Sequence, residues 1–278
     1  MTVEQAYEEC RRVARASGSS FYAGMRLLPP ERRRALFAVY ALARRIDDVA
    51  DGPFLPEEKL GALARLRLEL VSIRESREPV FVAVADAAER FPIPLSAFSD
   101  LLDGAEADVR GVHHATFADL ERYCRRVAGS IGRLALGVFG TADRARAEPL
   151  ADDLGVALQL GNILRDLGDD LRHGRSYLPD DDYARFGCAV RGSTIDGDAE
   201  LLVAFAAERA LEWLEHGLEL VPLLDRRSAT CVLAMTTSYR AVIEAIAAEP
   251  LLALGSHVSL APWRKRLLVA RALVGAVA

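Results

Sequence analysis

The stretch Gln159-Leu-Gly-Asn-Ile-Leu-Arg-Asp-Leu-Gly-Asp-Asp170 decides the fold. Gln159, Asn162, Asp166 and Asp170 recur at spacings of 3, 4 and 4, which places four polar side chains on one face of a helix. Val156, Leu160, Ile163, Leu164 and Leu167 fill other positions of the same segment. An apolar helix with one polar stripe must look into something polar, so the pattern predicts a helix over 142–171 that walls a polar site.

Working outward, helical spacing dominates. Leu63, Leu66, Leu70 and Ile73 follow the turn at 53–56, and Ala207, Leu211, Leu214, Leu218 and Val221 precede Pro222. Proline and glycine punctuation suggests further helices over 30–51, 95–104, 116–140, 228–248 and 262–277. No β-rich block, internal repeat or low-complexity linker interrupts them. The stretch 175–197 carries Tyr177, Tyr183 and Phe186 among its Gly, Asp and Pro residues and reads as an ordered loop. The expected fold is all-α, with residues 1–278 forming a single domain, a helical bundle around a central cavity.

A second acidic run, Asp47-Asp48-Val49-Ala50-Asp51, closes the 30–51 helix before Gly52-Pro53. Carboxylates there face the negative end of the helix dipole, and Asp47 and Asp51 repel each other at i,i+4, each effect costing tenths of a kcal/mol to ~1 kcal/mol. A bound cation reverses both signs. Tyr40, Arg44, Asp47 and Asp51, spaced 4, 3 and 4, form one stripe carrying a hydroxyl, a guanidinium and two carboxylates. One such run alone is an ordinary solvated helix end. Two on apolar helices, flanked by Arg44, Arg165, Arg172 and Arg175, are the donor set for Mg²⁺ ions shared with a diphosphate. His113 and His114 are adjacent, so they read as loop residues and not as ligands.

The 278 residues are 51% hydrophobic, 27% charged and 7% aromatic, which excludes disorder, collagen and disulfide scaffolds. A net charge of −5 argues against nucleic acid as partner. All but two of the 35 basic residues are arginines, which codon usage explains, although guanidinium also suits phosphate. Cys10, Cys124, Cys188 and Cys231 show no CxxC spacing, and a reducing cytoplasm is expected. The N-terminus lacks a signal peptide's apolar stretch, and no uninterrupted apolar run approaches the roughly 18 residues of a membrane span. Residues 263–270 mix a basic cluster with apolar side chains, as does either a docked C-terminal helix or one lying peripherally on the inner face of the membrane.

The sequence resembles the squalene and phytoene synthase family of head-to-head isoprenoid synthases. The resemblance runs from about Ser17 to Tyr239 and rests on motifs in register. These are Ser19-Ser20-Phe21-Tyr22, Leu27-Leu28-Pro29, Tyr40 to Asp51, Tyr123-Cys-Arg-Arg-Val-Ala128-Gly129, Gln159 to Asp166, and Gly174-Arg175-Ser-Tyr177-Leu178-Pro179. The resemblance implies Asp47, Asp51, Asp166 and Asp170 as ligands of several Mg²⁺ ions bridging the substrate diphosphates. It implies a polar site completed by Ser20, Tyr40, Arg44, Gln159, Asn162, Arg165, Arg175 and Tyr177, with Tyr123 beside the reacting cation, its ring stabilising positive charge and its oxygen handling a proton, and it implies Tyr40, Arg44, Tyr123 and Tyr177 as the catalytic residues. Phe21, Ala128, Leu160 and Tyr239 are expected among the substrate-binding residues, the first three along the prenyl tails.

The opening Gly18-Ser19-Ser20-Phe21-Tyr22 and the short chain are most similar to bacterial hopanoid-pathway presqualene diphosphate synthases. The expected reaction is therefore condensation of two farnesyl diphosphates, with no need for NADPH and with downstream hopanoid-pathway enzymes as partners. Phytoene or dehydrosqualene synthesis shares every motif quoted and stands as the alternative. A non-catalytic scaffold is disfavoured by four intact aspartates, since unused buried charge is costly. Two departures from the family pattern are Gly18, where a serine is frequent, and His257-Val258, where an arginine precedes the valine.

Overall fold

The computed structural model describes residues 2–17, 20–111, 113–255 and 258, and of Ser20 only the backbone. The helices in chain order are α1 (Val3–Ala16), α2 (Ser20–Met25), α3 (Pro30–Asp51), α4 (Pro56–Val71), α5 (Pro79–Arg90) and α6 (Ser96–Arg110). They continue as α7 (Phe117–Cys124), α8 (Ser130–Phe139), α9 (Arg144–Arg172), α10 (Asp180–Arg185), α11 (Ala199–Leu218) and α12 (Arg226–Ala248). Among the described residues the strands are β1 (Ala189–Arg191) and β2 (Thr194–Asp196), a small antiparallel hairpin.

Local chemistry sets the ends. Proline occupies the first position of α3, α4 and α5, where its missing N–H costs nothing. Asp143, Asp198 and Asp225 cap α9, α11 and α12 by accepting from Arg146, Leu201 and the Arg227–Ser228 pair of backbone N–H groups. Gly111, at φ +79°, takes the left-handed turn that ends α6.

Two helices organise the packing. α3 lies against α1, α4, α5, α6 and α8, while the 29-residue α9, about 43 Å long at 1.5 Å per residue, lies against α8, α11 and α12. The buried side chains form one continuous cluster. α12 is long and apolar enough to cross a membrane on length and composition, with mean hydropathy 1.3, yet it packs on α2, α9 and α11 as a core helix.

The structure departs from the periodicity reading in several places, the short α2 among them. α1 and α5 were not legible as helices, because the buried stripe of α1 is narrow (Ala6, Tyr7, Cys10, Ala14) and finds its partners in α3 and α5. The 95–104 helix extends to Arg110. The stretch 175–197 contains α10 and the hairpin, and its backbone is laced to the loop before α7 by Asp180 N–H to His114 O (3.0 Å) and Asp181 N–H to Ala115 O (3.1 Å). The 116–140 helix is continuous but carries a π-helical turn at Arg125–Gly129. The 262–277 helix, the basic segment 263–270, Gly18 and His257 lie outside the described residues.

The π turn sits where α7 and α8 cross α9 at backbone contact. A Cβ on Gly155 would lie 2.3 Å from Ala128 O, and one on Gly132 would lie 2.0 Å from Ala151 O. On an open helix Gly→Ala gains roughly 1 kcal/mol; here the crossing has no room for it. Gly132→Ala is expected to destabilise by about 3 kcal/mol through overpacking, read as a lower denaturant midpoint at unchanged slope.

Candidate active site

The crossing aims α7 and the π turn at a cavity of about 270 Å³. Asp47, Ala50 and Asp51 of α3 form one wall, and Gln159, Asn162, Ile163, Arg165, Asp166 and Asp170 of α9 form another. Leu101, Ala105 and Asp108 of α6 supply a third side, and Tyr123 and Val127 a fourth, with Arg175 and Tyr177 arriving from the strap after α9. The two acidic stripes anticipated from sequence therefore line one space.

Charge is paired unevenly around it. Arg165 donates to Asp166 through Nε at 3.0 Å, Arg175 meets Asp170 at 3.0 Å, and Arg44 meets Asp48 at 2.7 Å. Among the described residues Asp47 makes neither hydrogen bond nor ion pair of this kind, although the Arg44 charge reaches it. Crowding by the surrounding protein and then the charge of Asp51, against the pull of Arg44, push its carboxyl up to about 7, although the side chain is exposed to water at the cleft mouth. Burial also pushes Asp170 up, against the pull of Arg175. Asn162 donates to Gln159 Oε1 at 3.2 Å, and its own Oδ1 is buried with no hydrogen-bond partner. That oxygen stands one turn before Asp166 on the same stripe.

This donor set fits a hard cation: carboxylates in excess, an orphaned amide oxygen, and burial that penalises negative charge. Among the described residues no three carboxylates or imidazoles converge closely enough to enclose a metal unaided. Such an arrangement suits ions whose remaining ligands come from water and a bound diphosphate.

The other anticipated residues are distributed as follows. Tyr239 is half-buried against Gly161 of α9, where its hydroxyl reaches Arg165 and Asn162, and its ring stacks on Phe21 at 5.8 Å. Leu160 is buried in the core, and Ala128 lies in the π turn with its carbonyl against Gly155. Tyr40 packs partly buried on the core one turn before Arg44. These residues, with Phe21 and Arg44, lie outside the described cavity wall, and the Ser20 side chain lies outside the described atoms.

Two residues escaped the sequence reading. Asp108 accepts hydrogen bonds from Tyr123 (2.8 Å, on Oδ2) and Tyr177 (3.2 Å, on Oδ1), and burial pushes its carboxyl up to about 6. The signal was present in Leu101, Ala105 and Asp108 at spacings of 4 and 3, an acid on the buried face of α6. His114 is buried, with its ring 5.2 Å from that of Tyr123 and 6.4 Å from that of Tyr177. Burial lowers its pKa, so it stands as a neutral imidazole.

The squalene/phytoene synthase family model matches residues 14–266. The chain belongs to this family. A phytoene synthase of Mycobacterium bovis is 45% identical across 99% of this chain and 93% of its own length. A 15-cis-phytoene synthase of Synechococcus elongatus is 31% identical, covering 95% of this chain and 91% of its own. Among solved structures, a ligand-bound dehydrosqualene synthase superposes with TM-score 0.86 at 27% identity, covering 98% and 97% of the two chains. Squalene synthase HpnC of Alicyclobacillus acidocaldarius gives 0.79 at 30%, covering 88% and 94%. The protein is thus a prenyltransferase-type enzyme of the isoprenoid synthase fold.

The Asp47 environment yields a pH prediction. A carboxyl whose folded pKa lies above its unfolded value takes up a proton on folding, so its contribution to stability falls as pH rises from about 4 towards 7. Asp47→Asn does not titrate. In thermal melts without divalent ions the variant is expected to melt a few degrees above wild type at pH 8, with the gap closing near pH 4.

Proposed function

We propose that this enzyme joins two prenyl diphosphates head to head, with geranylgeranyl diphosphate as substrate and phytoene as product. The carrying observation is 45% identity, over nearly the whole of both chains, to a relative named phytoene synthase. This favours the second of the two readings offered by the motifs over presqualene diphosphate. The dehydrosqualene synthase and HpnC structures keep farnesyl diphosphate as the competing substrate.

Ionising an allylic diphosphate separates charge, and the residues of the cavity are arranged for both halves. Asp47, Asp51, Asp166 and Asp170 would hold Mg²⁺, assisted by the Asn162 Oδ1, and the ions would neutralise the departing diphosphate. Arg44, Arg165 and Arg175 now lie on carboxylates, and an incoming diphosphate offers each guanidinium a stronger bidentate partner. Gln159 keeps Asn162 oriented. The Tyr123 and Tyr177 rings, stacked at 5.7 Å, present π faces that suit the allylic cation. Ala50, Leu101, Ala105, Val127 and Ile163 supply the apolar part of the lining around it.

The purified protein, given Mg²⁺ and geranylgeranyl or farnesyl diphosphate separately, with and without NADPH, is expected to yield phytoene from the longer substrate in both cofactor conditions. Mass spectrometry of the products decides it. Presqualene diphosphate from farnesyl diphosphate, with the longer substrate inert, would overturn the reading. Asp166→Asn, or chelation of Mg²⁺, is expected to lower turnover by ~10²-fold or more while far-ultraviolet circular dichroism stays unchanged.

A further inference from the structure

Beside its core-facing positions, α11 carries a second stripe. Phe205, Arg209, Trp213 and His216 recur at spacings of 4, 4 and 3, so they share one face of the helix. The helix that bears them is seated firmly: a Cβ on Gly217 would lie 2.6 Å from Leu154 Cα, so α11 meets α9 at backbone distance. None of the four residues lines the cavity.

Each of them grips a segment tied to the cavity wall. The Phe205 ring packs on Phe186 of the strap after α9, at 5.4 Å. Arg209 holds Asp182 of the same strap through two hydrogen bonds, at 2.6 and 2.9 Å, and lies 4.1 Å over the ring of Phe117, the first residue of α7. Trp213 packs on Phe117 at 6.2 Å, and Arg125, the first residue of the π turn, lies 5.4 Å over the Trp213 ring. Arg125 in turn donates to Asp152 and Asp153 of α9, and His216 Nε2 meets the other oxygen of Asp153 at 3.2 Å. Strap, α7 and π turn therefore meet α11 along one row of guanidinium and aromatic groups. The strap brings Arg175 and Tyr177 to the cavity, and the π turn brings Val127.

We propose that Arg209 and Trp213 are positioning residues: through them α11 sets the strap against the π turn, and so sets how two prenyl chains lie against each other in the cavity. The proposal rests on the head-to-head reading above. A guanidinium bonded to a carboxylate and laid on a ring fixes orientation as well as distance, which is what two walls built from separate segments require. When the C1–O bond of the first prenyl diphosphate breaks, the diphosphate leaves with the electron pair, and the double bond of the second chain must meet the allylic cation. A second chain held out of line leaves the cation to water. The water oxygen then bonds C1, a proton is lost to solvent, and the product is a prenyl alcohol. The alcohol share of the products therefore reads the alignment of the walls, and a loss of stability alone does not move it.

The test uses the full chain with Mg²⁺ and whichever of geranylgeranyl and farnesyl diphosphate the wild type turns over, with both products scored by mass spectrometry. Trp213→Leu removes the ring between Phe117 and Arg125. Arg209→Met alone would strand the buried Asp182 charge, so it is combined with Asp182→Leu, an apolar replacement of the whole pair that such sites tolerate. Trp213→Leu and the paired replacement are each expected to lower the rate of joining by roughly 10- to 100-fold and to raise the alcohol share well above that of wild type, with unchanged far-ultraviolet circular dichroism at the assay temperature. Trp213→Phe, which keeps a ring, is expected to restore most of the rate and the wild-type alcohol share. Should the paired replacement fail to fold, the two Trp213 variants decide. A folded Trp213→Leu that melts earlier yet keeps the wild-type rate and alcohol share would make the stripe a stabiliser only and overturn the proposal. So would a rate loss with an unchanged alcohol share, or a Trp213→Phe as defective as Trp213→Leu. A wild type inactive on both substrates would overturn the proposed function together with this proposal, whereas an active wild type with indifferent variants overturns this proposal only.

Discussion

Mutual repulsion among carboxylates that share one cavity is the constraint on which the rest of this structure depends. Asp47 and Asp51 reach it from α3, Asp166 and Asp170 from α9, and Asp108 from α6. Arg165 and Arg175 offset Asp166 and Asp170, whereas Asp47 and Asp51 stand exposed at the mouth without such partners among the described residues. A rigid frame keeps the groups together against the repulsion that remains. The frame is α3 and α9, each packed on several other helices, with α6 and α8 joining the two sets. Stability is therefore spent on holding in place a set of charges that becomes favourable only when cations and a diphosphate arrive.

The acidic stripes were legible in the sequence because both stand on long helices with regular apolar spacing. Asp47, Asp51, Asp166 and Asp170 keep their positions under a simple count of three and four. Asp108 was not legible, because Gly104 reads as a helix stop. In the structure Gly104 lies within α6, and a Cβ there would sit 2.4 Å from Val127 Cγ1. The glycine serves the approach of α6 to the π turn, a tertiary reason that punctuation rules do not contain. His114 was discounted by its neighbour His113, yet His113 pairs with Asp180 at the surface while His114 is buried beneath the tyrosines. Adjacent residues in a loop face independent environments, so a helical face count does not apply to them.

The strap after α9 shows how a polar segment becomes ordered. Tyr177 reaches Asp108 because residues 176–188 are tied down on both sides. On one side are the backbone bonds to His114 and Ala115. On the other, the Arg209 guanidinium of α11 pairs with buried Asp182 through two hydrogen bonds, at 2.6 and 2.9 Å, and stacks on Phe117 and Phe205. Charge-assisted pairs of this geometry fix orientation as well as position. The reacting end of the cavity is held by this distant anchor.

The π turn sets the phase between the two halves of its helix. A π turn is an α-helix carrying one surplus residue, and each residue of an α-helix turns the chain by about 100°. Removing the surplus from 125–129 would leave a regular helix with α8 still seated on α9 through Gly132, but Tyr123 would be swung away from Asp108. The surplus residue thus lets one helix satisfy two demands that regular winding would set against each other, a glycine seat on α9 and a tyrosine in the cavity.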